Sequence, residues 1–137
     1  MIRALKAIAA VLDSDPQSSV PTLIGDATNK GPVFRVLWGP PGNREHDERM
    51  AGSSAWSARI GLTCTATTAE TALMLATDAI DRLTPGRKSS VIPGLPDRHL
   101  QLAFFEARDV QIDRTTTGEH GHPAFVVVLF HLHSQPI

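Results

Sequence analysis

Residues 55–83 read AWSARIGLTCTATTAETALMLATDAIDRL, and within them the hydrophobic period changes from two residues to between three and four. Trp56, Ala58, Ile60, Leu62 and Cys64 alternate with Ser57, Arg59, Gly61, Thr63 and Thr65. Successive side chains of a strand point to opposite faces, so this segment predicts a strand with one apolar and one polar face. Thr67 then stands three residues before Glu70, the spacing of a capping box, in which side chains satisfy the free amides of a helix start. Ala72, Leu73, Ala76, Ile80 and Leu83 follow at helical spacing, which predicts a helix over 68–83 that Pro85-Gly86 ends.

Upstream, VFRVLW at 33–38 is rich in β-branched and aromatic residues and is bounded by Gly31-Pro32 and Gly39-Pro40-Pro41, which predicts a second strand. GPPGNREHDERMAGSS at 39–54 has almost nothing apolar to bury and reads as an exposed loop. Ile2, Leu5, Ile8, Ala9 and Leu12 share one stripe of a helix over 2–13, and QSSVPTLIGDATNKGP at 17–32 reads as an extended connector pinned by Val20, Leu23 and Ile24. Downstream, GRKSSVIPGLPDR at 86–98 is a loop. Leu100, Leu102 and Phe104 then begin a strand that continues through a bulge to Val110 and Ile112, with Phe105 breaking the alternation. After the turn-like 114–123, FVVVLFHLH at 125–133 is apolar on both faces, the pattern of an interior or covered strand.

The resulting order is α-β-β-α-β-β. Two hairpins separated by a helix predict an α+β fold, one domain over 1–137, with an antiparallel or mixed four-stranded sheet and helices packed on one face. At 137 residues the chain has the size of a single domain, and no apolar run approaches the roughly 20 residues that cross a bilayer. Thirteen basic against fourteen acidic side chains give a formal charge of −1, which lacks the basic excess that draws a protein onto nucleic acid. Lys6 interrupts the apolar start of the chain and no small-residue cleavage site follows, so no secretory leader and no membrane partner are expected. The single cysteine, Cys64, excludes an internal disulfide and fits a reducing compartment, with synthesis in the cytoplasm.

Several residues invite a catalytic reading. His131 and His133 form a His-x-His pair that a strand points to one face, as in some zinc or iron sites, with His120 and His122 nearby in sequence. No acid stands in the same strand, and Asp113 and Glu119 reach the pair only if the hairpin curls towards it; the competing reading is a polar face of a strand and a turn. Gly39-Pro40-Pro41-Gly42-Asn43 follows a strand as a phosphate loop would, but its prolines remove amides and no Gly-Lys-Ser/Thr completes it. Cys64 falls on the apolar phase of its strand, where a packed thiol is commoner than a nucleophile. Ser53, Ser54, Ser89 and Ser90 lack a nucleophile-elbow setting. No catalytic residue and no cofactor is expected. Arg44, Glu45, Asp47, Glu48 and Arg49 form a mixed-sign run that reads either as a solvated connection or as a loop meeting another subunit or partner.

The helix ending in LDSDP, the strand entering LWGPPGNREHDERM, the strand WSARIGLTC, the helix TTAETALMLATDAIDRL and the closing FVVVLFHLH together cover most of the chain. In this order they resemble the tail terminator, or tail completion, proteins of long-tailed bacteriophages, particularly those of actinobacterial phages. The resemblance implies a non-enzymatic virion protein at the head-proximal end of the tail, made in the bacterial host cytoplasm. It further implies a hexameric ring of identical copies that caps the major tail tube protein, stops tube polymerisation and joins the head-tail connector protein. The same texture also suits a neighbouring connector or neck protein. A small His-dependent metalloenzyme built on His131 and His133 is the alternative from another class.

Overall fold

The structure is a computed structural model that describes residues 2–14, 20–25, 32–39, 55–114 and 121–137. In chain order its elements are α1 (Ile2–Leu12), β1 (Thr22–Ile24), β2 (Phe34–Trp38), β3 (Trp56–Ala66), α2 (Ala69–Leu83), β4 (Ser90–Ile92), β5 (Arg98–Ala107), β6 (Gln111–Ile112) and β7 (Ala124–Pro136). A short 3-10 turn over Pro85–Arg87 follows α2.

The strands form one mixed sheet of seven in the order β1-β2-β3-β7-β5-β4, with β6 also paired to β7. Both expected hairpins are present as antiparallel pairs, β2 with β3 and β5 with β7, and β7 joins them by pairing antiparallel with the whole length of β3. The expectation of four strands is corrected to seven among the described residues. Two of the additions, β1 and β4, have three residues each and lie at the two edges. In the sequence each reads as connector or loop, because three residues carry no period of their own. Backbone pairing makes them strands: β1 runs parallel to β2, and β4 antiparallel to β5.

The third addition comes from a division. The strand expected to continue from Leu100 to Ile112 is split into β5 and β6, which lie one after the other along the same side of β7. The expected bulge falls at Phe105, where the register shifts between Phe104 and Glu106. Arg108 N donates to Val127 O at 2.9 Å and Asp113 N to Pro123 O at 2.8 Å, which keeps the intervening backbone tied to β7.

Alternation places Ala58, Ile60, Leu62, Cys64 and Ala66 of β3 opposite Leu132, Phe130, Val128, Val126 and Ala124 of β7, and all ten are buried. This is the core face. Both helices cover it, because Arg35 on the same face of β2 reaches Asp13 just after α1 and Asp78 of α2. Helix α2 presents Ala72, Ala76, Ala79, Ile80 and Leu83 to the core, so three small side chains let its backbone come close to β3 and β7. Its N-cap is Thr68 and not Thr67: Thr68 is extended, at φ −132° and ψ 155°, and its hydroxyl accepts from Thr71 N at 3.2 Å. The capping box expected between Thr67 and Glu70 is therefore absent. Glu70 remains in the first turn and Arg82 in the last, each with the sign that the helix dipole favours.

Helix α1 buries Ala4, Leu5, Ala7, Ile8, Ala9 and Leu12 and stretches between the two edges of the sheet. Near its start Arg3 pairs with Asp97 at 2.6 Å, and a Cβ on Gly94 would lie 3.6 Å from the Ala7 Cβ. Past its end Asp13 accepts from the Thr22 hydroxyl at 2.9 Å, beside β1.

Candidate interaction surfaces

The opposite face of the sheet has no helix on it among the described residues. It carries Phe34, Val36 and Trp38 of β2, Phe125, Val127 and Leu129 of β7, and Gly61, Thr63 and Thr65 of β3 between them. Trp38 lies across Gly61 so closely that a Cβ there would fall 2.1 Å from the indole ring. Its Nε1 donates to Thr63 Oγ1 at 3.0 Å, which fixes the ring flat on the sheet. Val36 and Leu129 are buried beside it, whereas Phe34, Phe125 and Val127 remain half-buried. The apolar reading of both faces of β7 holds in this sense: one face enters the core and the other joins an aromatic and aliphatic row.

Towards the other end of β7 this face turns polar. His131 and His133 do point to it together, as their spacing requires. His131 is flanked by Arg59 and Ala103 on the neighbouring strands, and His133 by Ser57 and Gln101. Ser57 Oγ and His133 Nδ1 share a hydrogen bond of 2.9 Å, while the Arg59 guanidinium sits 3.9 Å over the Phe105 ring. Among the described residues these two imidazoles stand beside a cation without the third and fourth ligands that zinc takes, and a cation opposes a divalent ion. Asp113 follows Ile112, which pairs with Ala124, seven residues along β7 from His131 and so roughly 24 Å away. Glu119 and His120 lie outside the described residues. No three His, Cys, Asp or Glu among the described residues are grouped to hold a metal ion.

Cys64 is fully buried, and burial pushes its thiol up to about 12; the neighbouring Arg35 charge lowers it and Asp78 raises it. A thiol held protonated in this way is a packing group and not a nucleophile at neutral pH. Ser90 donates to the Leu83 carbonyl, so its hydroxyl serves the turn after α2.

Arg35 has no counterpart in the sequence reading. Its side chain is 1% exposed, with NH2 donating to Val20 O at 3.2 Å and carboxylates of Asp13 and Asp78 at 3.7 and 3.9 Å. Its Nε has no hydrogen-bond partner among the described residues. The signal was available only as an odd charge inside an apolar strand, which does not say which face becomes the core.

The mixed-sign run Arg44, Glu45, Asp47, Glu48 and Arg49 lies outside the described residues, as do Pro40–Asn43 and Ser53–Ser54. A second surface is instead visible on α2. Leu73, expected in the buried stripe, is 46% exposed, and Met74 beside it is 64% exposed. They lie off the line through Ala72, Ala76 and Leu83, and together with Glu70, Thr77, Asp78 and Asp81 they line one shallow open depression. No described helix is long and apolar enough to cross a membrane. Compared with known protein families and with curated proteins, the chain matches no family model and no curated sequence.

Proposed function

We propose that this chain is a structural protein of a bacteriophage tail, a terminator whose copies assemble into a ring on the end of the finished tail tube. The ring stops further polymerisation of the major tail tube protein and presents the surface that the head-tail connector joins. The reading rests on the ordered sequence resemblance together with one structural observation: a mixed sheet that keeps an aromatic and aliphatic row on the face that no described helix covers. Phe34, Trp38, Phe125 and Val127 on that row retain accessible surface, and Phe105 on the same face is 50% exposed. Contiguous apolar surface of this kind marks contact with other proteins. An assembly subunit has a use for such surface.

The test is direct. Purified protein is added to polymerising tail tube protein and the tubes are viewed by electron microscopy. The expected result is density at one tube end and an arrested length distribution. Tubes that keep growing with bare ends would sink the terminator role. Binding to the connector with tube growth unaffected would instead assign the chain to the neck.

A further inference from the structure

Two exposed stripes on the helices of this chain are opposite in charge and alike in apolar content. On α1 the exposed positions are Ile2, Arg3, Lys6 and Ala10, with Ile2 at 40%, and Ile2–Leu12 contains no acid. On α2 they are Glu70, Leu73, Met74, Thr77 and Asp81. The one cation of α2, Arg82, is bound to Asp78 at 2.8 Å, on the flank of that stripe. The spacings of three and four residues align each stripe along its helix, over roughly 12 Å on α1 and 16 Å on α2. Arg3 already meets Asp97, yet both side chains are about half exposed, so the five-donor guanidinium keeps N–H groups for a further acceptor.

The two stripes cannot meet within one molecule, because α1 and α2 both turn their buried faces to the same core and these stripes to solvent. We infer that α1 of one copy packs on α2 of the next, with Ile2 against Leu73 and Met74 and with Arg3 and Lys6 against Glu70 and Asp81. The occupant is a second copy of this chain, since the complementary stripe is its own. Apolar burial supplies the attraction and the charges set the register. Each copy offers one stripe to each neighbour, and such a head-to-tail contact closes into a ring when the rotation per copy divides a full turn. The inference rests on the ring-forming reading above and names the surfaces that would build the ring.

Two charge-reversed variants test it, Arg3→Glu with Lys6→Glu, and Glu70→Lys with Asp81→Lys. Sedimentation equilibrium at low ionic strength, with folding checked by circular dichroism, is expected to give a wild-type mass above a dimer and a monomer for each variant alone. An equimolar mixture of the variants regains the wild-type mass, because every copy then meets neighbours of opposite sign on both sides. Met74→Asp, a single surface change, gives a monomer as well. Equal masses in wild type, variants and mixture, or a wild type that stops at a dimer, would overturn the contact. No tail tube enters this measurement. A chain that forms the helix contact but leaves tubes uncapped therefore fails only the terminator reading, and one that caps tubes while all samples sediment alike fails only this inference.

Discussion

Cys64 and Arg35 face each other across the β2–β3 pair, one a neutral acid and the other a permanent cation, both inside the core. The thiol ordinarily releases its proton near 9.0, whereas in the folded chain it holds it to about 12. Below pH 9.0 folded and unfolded chains are both protonated, and the stabilisation from the protonated thiol is fully present. Between 9.0 and about 12 only the unfolded chain loses the proton, so stability falls by about 1.4 kcal/mol for each pH unit and the contribution is gone above that window. Urea unfolding from pH 8 to 11 should therefore show a steeper alkaline loss in wild type than in Cys64→Ala. Equal slopes would show that the thiol is not held neutral. The chain has no tyrosine, so thiolate absorbance can be followed in the same samples without a phenolate background.

At the scale of elements, the closest fit is Trp38 of β2 lying over Gly61 of β3. Gly61→Ala places a methyl where the indole is and breaks its hydrogen bond to Thr63. The expected result is a loss of about 1–3 kcal/mol and a red-shifted Trp emission as the ring moves into water; an unchanged spectrum would mean that the ring is not seated there. Neither partner announces this contact in the sequence, where Gly61 looks like one more polar-phase residue of β3. What was legible was whatever had enough residues to show a period: β3 alternates over eleven residues and α2 repeats over fifteen. Adjacent threonines at 67 and 68 both satisfy the composition of an N-cap, and only the backbone angles select Thr68. β1 and β4 are strands because an edge was waiting for them, a fact that belongs to β2 and β5. The surface residues were least legible. Leu73 looks like core because exposed and buried leucines are chemically the same, and the run at 44–49 stands out in the sequence by charge alone.

At the scale of the whole molecule, the connections are long-range. Arg35 gathers the chain after α1, the strand β2 and the helix α2 at one buried point, while α1 itself reaches from Asp97 near one sheet edge to Thr22 at the other. The hub is β7, with β3 on one side and β5 and β6 on the other. It follows every other strand in the chain, and this orders events in time. A ribosome that has not reached residue 124 holds β3 and β5 with unpaired edges, each able to template pairing with a neighbouring nascent chain. A chain stopped after Pro123 should therefore be protease-sensitive and melt without cooperativity, and a peptide of residues 124–136 added in trans should restore protection. Cooperative melting of the stopped chain would show that β7 is dispensable. In a cell that translates many copies at once, the interval before β7 emerges is when a misplaced strand from a second chain does most harm, and the sheet closes only after it.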